Sequence, residues 1–295
     1  MIKRIVDISE ASYIHLKDRQ LIIDREKEFV GSIPIEDLGI LILQHPAIVM
    51  TQALIIACQE NNVAVVFCDE RHLPYSCLLP LCEGHSLHSK ILKVQTSITP
   101  PIKNRLWQQV VKFKIRNQID TLELANKNTS ALERLLTKVK SGDPENIEAQ
   151  AARNYWRILF GEGFRRDIDA PGVNSLLNYG YAVMRAMIAR SIVSSGLHPA
   201  FGLHHSNQYN GLCLADDLME PFRPWVDWLV YSFAQQNNNV VVNHSTKQIL
   251  LGLLVEKVLW EKQSMPLMVA CHYFMANLKV TFEARSSKLV YPKRQ

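Results

Sequence analysis

Two carboxylates and one imidazole, drawn from three separated stretches, are the side chains of this sequence best suited to chemistry: Glu148, His205 and Glu220. Projected at about 100° per residue, the segment 147–160 gathers Gln150, Arg153, Asn154 and Arg157 on one face. Glu148 falls instead with Ala151, Ala152, Tyr155 and Leu159, on the face expected to turn inward. A carboxylate there is costly to desolvate unless a cation, a metal or a hydrogen-bond donor meets it. The plain alternative is a glutamate near a helix start that stays solvated or pairs with an arginine such as Arg185.

The run from Gly196 to His205, Gly-Leu-His-Pro-Ala-Phe-Gly-Leu-His-His, holds three of the ten histidines in a turn punctuated by glycine and proline. Such loops place side chains for chemistry, and they equally carry exposed histidines with no task. Downstream, Asp216, Asp217 and Glu220 put three carboxylates within five residues, Asp217 and Glu220 one helical turn apart. Alone, that segment reads as a capping box in which Asp217 caps a helix and Glu220 answers it. Joined to Glu148 and His205, Glu220 completes a set that suits Mg²⁺ or Mn²⁺ and leaves positions for water and phosphate oxygens.

The elements that must position these residues follow from the hydrophobic pattern. Short alternating, β-branched bursts predict strands at Arg4 to Ile8, Ser12 to Lys17, Gln20 to Asp24, Glu28 to Pro34 and Gly39 to Leu43. A helix from about Met50 to Asn61 and a buried strand from Val63 to Cys68 follow. Pro74, Pro80 and Gly84 then break the pattern, and the sequence turns helical almost to its end. The expected fold class is α+β, with a β-rich domain over 1–84 and a larger all-α domain over 85–295. Helices are expected near 100–125, 129–140, 144–162, 173–195, 217–236, 244–260 and 264–284. Asp143 and Pro144 specify the start of the helix that carries Glu148, the first as a cap and the second in a turn that needs no N–H.

Composition narrows the function classes. A chain of 295 residues with 47% hydrophobic content buries a substantial core. Its net charge of +5 leans weakly towards an acidic partner. The six cysteines lie mostly in apolar runs and read as small buried hydrophobes of a reducing compartment. Cys77, Cys82, His85 and His88 look like a zinc cluster at first, but four and then two intervening residues are the wrong spacings. Charges throughout the first twenty residues exclude a signal-peptide core, and no apolar run reaches membrane-spanning length, so a cytoplasmic protein is expected.

The ordered motifs Ala152-Arg153-Asn154-Tyr155-Trp156 behind Glu148, Asn178-Tyr179-Gly180-Tyr181, Gly202-Leu203-His204-His205, and Asp217-Leu218-Met219-Glu220-Pro221-Phe222-Arg223-Pro224 resemble the CRISPR-associated endonuclease and integrase family, Cas one. The closest likeness is to the version found beside a single large RNA-guided effector nuclease, as in type II systems. The resemblance implies a β-rich N-terminal dimerisation domain, a helical catalytic domain, a homodimer and a small partner subunit, Cas two. It implies that Glu148, His205 and Glu220 hold the divalent metal, with Asp217 and His204 in support. The doublet His204-His205 leaves the choice of ligand open, and His205 is preferred by its spacing from Glu220.

The activity so implied is insertion of foreign DNA fragments into a repeat array, by attack of a fragment's 3′-hydroxyl on a phosphodiester. Double-stranded DNA is the expected partner, contacted through Arg165, Arg166, Lys293 and Arg294 among many basic residues of the helical part. The competing expectation is a DNA-binding scaffold subunit that performs no chemistry and whose acids serve as helix caps.

Overall fold

Leu38 to Leu43, Leu-Gly-Ile-Leu-Ile-Leu, is apolar on both faces and buried along its whole length, as a strand inside a parallel pairing must be. In the computed structural model, which describes residues 4–70, 74–78, 87–237 and 239–295, it is the fifth strand of the chain. The chain divides into two units, Met1–His88 and Ser89–Gln295.

The first unit contains β1 (Arg4–Ile8), β2 (Tyr13–Lys17), β3 (Gln20–Arg25), β4 (Glu28–Pro34), β5 (Leu38–Leu43), β6 (Val49–Met50), helix α1 (Gln52–Glu60), β7 (Ala64–Cys68) and β8 (Pro74–Leu78). One sheet has the order β1-β5-β7-β8, parallel except for the β7–β8 pair; the other has the order β4-β3-β2-β6. Ile14 and Leu21 from the second sheet, Leu41 and Val65 from the first, and Leu54 from α1 share one core. Buried Cys58 joins that core, and burial pushes its thiol up to about 12. Of the four residues weighed as a zinc cluster, Cys77 lies in β8 and His88 opens the next helix, while Cys82 and His85 lie outside the described residues.

The second unit runs α2 (His88–Thr96), α3 (Pro100–Leu124), α4 (Ser130–Leu136), α5 (Ile147–Phe160), α6 (Val173–Ser194), α7 (Cys213–Met219), α8 (Arg223–Gln236), α9 (His244–Gly252), β9 (Lys257–Trp260), β10 (Gln263–Pro266), α10 (Leu267–Glu283) and β11 (Lys293–Arg294). The β-rich part followed by a helical part is the order read from the sequence. Within the helical part the expected helix over 244–260 is corrected. It stops at Gly252, and β9 and β10 form a hairpin that β11 completes as a third antiparallel strand. Glu261 takes the left-handed conformation at the hairpin turn (φ 52°), where the usual Asn-Gly signal is absent. The helix carrying Glu148 also begins later than expected, at Ile147.

Helix α6 is the hub of this unit, buried on nearly all sides from Leu176 to Val193. Gly180 lets it close on α8, since a Cβ there would overlap the Val226 side chain. No helix among the described residues is long and apolar enough to cross a membrane.

Candidate metal centre

Helix α5 presents Glu148 from its first turn, and Asp143 fixes that turn from outside the helix. Its carboxylate accepts the backbone N–H groups of Ile147 and Glu148, both at 2.9 Å. Asn146, in left-handed conformation, caps the next amide, that of Ala149. Asp143 therefore keeps the capping role expected of it although the helix starts beyond it.

Glu220 follows α7 in a single 3-10 turn and is 8% exposed. Helix α3 clamps this turn: the Asn117 amide donates to the Pro221 carbonyl at 2.6 Å and the Thr121 hydroxyl to the Pro224 carbonyl at 3.1 Å. Arg223 Nε donates to Glu220 Oε1 at 2.8 Å, and its guanidinium lies over the Tyr181 ring. Burial opposes ionisation of Glu220, but Arg223 and Lys114 outweigh it and hold the carboxyl down at about 2.

Lys114 joins the two acids. Its ammonium pairs with Glu148 Oε1 and lies 2.5 Å from Glu220 Oε2, and it stays protonated because those two carboxylates overcome its burial. Arg185, the partner considered for Glu148, instead grips Asp216 in two bonds, at 2.5 and 2.9 Å, and Asn210 at 2.9 Å.

The turn before α7 is held from three sides. Buried Gln95 of α2 exchanges hydrogen bonds with the backbone of His198 and reaches the Phe201 carbonyl. Lys103 donates to the Gly202 carbonyl at 3.2 Å. Asp217, fully buried inside α7, accepts the N–H groups of Leu203, His204 and His205 at 2.6, 2.9 and 3.3 Å. Gly202 is required there, because a Cβ would overlap the His205 carbonyl oxygen and come within 2.8 Å of Asp217 Oδ2.

These bonds correct the capping-box alternative: α7 starts at Cys213, and Asp217 anchors the histidine turn instead of capping a helix. Asp217 Oδ1 also meets His205 Nδ1 at 2.5 Å. That bond raises the imidazole above its ordinary range, burial pulling the other way. With Nδ1–H donated to the carboxylate, the neutral ring keeps its lone pair on Nε2, the tautomer of a metal-bound histidine with carboxylate support. His204 stacks flat on Trp107, centroids 4.4 Å apart, and Trp107 meets His205 edge-on at 5.8 Å.

The fold thus brings Glu148 and Glu220 onto one cation and sets His205 on Asp217 in the neighbouring α7. Among the described residues no three His, Cys, Asp or Glu side chains stand close enough together to enclose a metal ion. The acidic pair is nevertheless of a kind that suits a divalent cation, since two carboxylates from different segments already converge on one positive charge.

Beside Glu220 lies a cavity of about 130 Å³ lined by Lys114, Gln118, Trp156, Arg166, Tyr181, Arg223 and Asp227, among others. Asp227 accepts hydrogen bonds from Tyr155 (3.0 Å) and Tyr181. Burial pushes its carboxyl up to about 7 against those bonds and against Arg223 and Lys114. The folded state therefore keeps a proton that the unfolded chain releases near pH 4, so this group lowers stability as pH rises from about 4 to 7. Asp227→Asn is expected to remove that decline. Between pH 5 and pH 8 its melting temperature should gain several degrees on the wild type; parallel melting curves against pH would refute the assignment.

A wider groove of about 670 Å³ adjoins, lined by Gln150, Arg153, Asn154, Trp156, Arg157, Glu162, Phe164, Arg165 and Arg166. Trp156 and Arg166 line both spaces. The polar face of α5 read from the sequence is one wall of this groove. The doublet Arg165-Arg166 divides: Arg165 is exposed, whereas Arg166 turns inward to Asn174 and Asn178. Lys293 and Arg294 lie away from both spaces, in β11, with Arg294 3.4 Å from Glu256.

Lys114 counts in the sequence only among the many basic residues of the helical part expected to face DNA, whereas the structure buries it between two acids, and a signal for that exists. It sits at helical spacing with Trp107, Val110, Val111 and Gln118, on the buried stripe of α3. A cation and an anion each placed on an inward face must find opposite charges, and here they find each other.

A family profile for "CRISPR associated protein Cas1" matches residues 6–252. A CRISPR-associated endonuclease Cas1 from Neisseria meningitidis serogroup C (strain 8013) is 34% identical over 284 residues, covering 95% of this chain and 92% of the relative. The fold is also that of a casposase solved bound to integration product (TM-score 0.79, 19% identity, 98% of this chain and 93% of that one). It recurs in a Cas6-RT-Cas1–Cas2 complex (TM-score 0.78, 18% identity, 99% of this chain and 36% of that longer one). The four motifs strung along the sequence meet around one acidic pair in the helical unit, and with the profile spanning both units the chain belongs to the CRISPR-associated Cas1 family.

Proposed function

We propose that this protein is a divalent-metal-dependent DNA endonuclease and integrase that joins DNA fragments to a CRISPR repeat. The convergence of Glu148 and Glu220 on a single cation carries this reading, together with an arginine-lined groove that shares Trp156 and Arg166 with the cavity lined by Glu220. The name of the Neisseria relative and the integration product in the casposase structure support it.

Glu148, Glu220 and Nε2 of His205 would hold Mg²⁺ or Mn²⁺, and Asp217 would keep the imidazole in the required tautomer. A bound divalent cation supplies charge to polarise the phosphate and stabilise the oxyanion. Arg166 and Arg223 are placed to neutralise a phosphodiester entering the cavity beside Glu220. In joining, the fragment's 3′-hydroxyl oxygen bonds to phosphorus and loses its proton. The bond from phosphorus to the repeat strand's 3′ oxygen breaks, and that oxygen takes up a proton. With water in place of the hydroxyl, the outcome is hydrolysis. Arg153, Arg157 and Arg165 would contact the backbone of the incoming strand, with Trp156 and Phe164 available for stacking. The proposed assembly is a homodimer formed through the N-terminal units together with the small Cas2 subunit, a component of the similar complex; the large effector nuclease is a further proposed partner.

The scaffold reading has an observation of its own, since an acidic pair neutralised by Lys114 is stable without chemistry. One experiment separates the two. A fragment with free 3′-hydroxyl ends is incubated with a supercoiled repeat-bearing plasmid, the protein and its small partner. Joining is expected with Mn²⁺ or Mg²⁺ and its complete loss with EDTA. Joining that survives chelation would refute metal dependence, and no joining together with an Mn²⁺-insensitive melting temperature would favour the scaffold.

A further inference from the structure

Lys114 is 7% exposed, and its ammonium sits between carboxylates supplied by two other segments. Burying a cation is unfavourable unless it is paired, and removing Lys114 leaves Glu148 without that partner and Glu220 with Arg223 as its remaining cation among the described residues. Its position between Glu148 and Glu220 is also where a divalent ion bound by both would have to lie, because the same oxygens would be its ligands. Two cations cannot share those oxygens. The side chain is a flexible four-carbon stem, and the cavity it lines, with Gln118, Trp156 and Arg166, gives the ammonium somewhere to go.

We propose that Lys114 is an internal cation that holds the Glu148–Glu220 pair together in the metal-free protein and must be displaced when a divalent metal binds. This inference rests on the metal reading of the site. It makes the lysine a positioning residue with two opposed effects. It stabilises the unloaded fold by satisfying the acids, and it weakens metal binding by competing for them. Any lowering of metal affinity by this competition is then a property of the fold and not of a poor ligand set.

The test is Mn²⁺ binding by titration calorimetry on the full-length protein, with melting temperature as a second readout. Lys114→Met is expected to bind Mn²⁺ about tenfold more tightly than the wild type, the gain from removing a paired competitor. Without metal it should melt lower, and Mn²⁺ should raise its melting temperature by more than that of the wild type. If the methionine variant does not fold, Lys114→Gln, which keeps a hydrogen-bond donor without the charge, provides the same comparison. Equal or weaker Mn²⁺ affinity in the variant would overturn the proposal while leaving the metal centre intact. Absence of Mn²⁺ binding in both wild type and variant would overturn the metal reading and this inference with it.

Discussion

Glu148→Gln and Glu220→Gln are each expected to reduce fragment joining by on the order of a thousandfold or more, because each removes a charged ligand from the proposed metal centre. Their effects on the fold should differ. Glu148 is the less buried of the two acids, and its replacement leaves Lys114 paired with Glu220. Glu148→Gln should therefore fold normally and lose only about 1 kcal/mol. Glu220 neutralises both Lys114 and Arg223 inside the protein, so its loss breaks a buried network and should cost about 3 kcal/mol or more.

The acidity of Glu220 gives the same network a pH signature. A carboxyl held at about 2 in the folded state contributes stability that is present above the ordinary glutamate range and lost as pH falls from about 4 towards 2. Glu220→Gln should lack that acid-side loss. The double variant should be scarcely less active than either single one, since the two acids act as a unit. Joining assays combined with urea denaturation test the set. Full activity in a folded Glu148→Gln protein would end the catalytic reading.

Asp217→Ala is expected to be the most destabilising single change around the site, by about 3–5 kcal/mol. The fully buried carboxylate receives three backbone N–H groups and the His205 ring, and alanine leaves those donors without their acceptor. A helix cap would cost only about 1 kcal/mol, so the size of the effect separates anchor from cap. Asp217→Asn keeps one acceptor oxygen and should be intermediate in stability. Because it no longer fixes the His205 tautomer, it should still weaken Mn²⁺ binding by about 10- to 100-fold. Calorimetry on the asparagine variant checks this, and unchanged affinity would remove Asp217 from the proposed support of the metal.

Much of the fold is legible in local pattern. Strands β1 to β5 fall where alternation and β-branching put them, and the inward placement of Glu148 follows from the helical period alone. Gly202 and Pro199 announce a turn, and the turn is there. The hairpin of β9 and β10 was not legible. Its turn residues Glu261 and Lys262 carry no turn chemistry, and its third strand comes from residues 293–294, far along the chain.

For the site, the sequence by itself determined the side of the helix from which Glu148 emerges, because periodicity is a local property of the backbone. Glu220 and His205 joined it as candidates through the motifs around them. Only tertiary structure decided their partners. Whether Glu148 meets Arg185 or Lys114 depends on how α3 and α6 pack against α5, and whether Asp217 caps or anchors depends on a turn that returns twelve to fourteen residues away. Geometry also separates the two histidines of the doublet. His204 stacks on Trp107 and His205 bonds to Asp217, and both contacts need side chains from helices that no spacing rule relates. Burial then sets the electrostatics. In a low-dielectric interior each charge is fixed by its nearest opposite charge, which is a fact of packing and not of order along the chain.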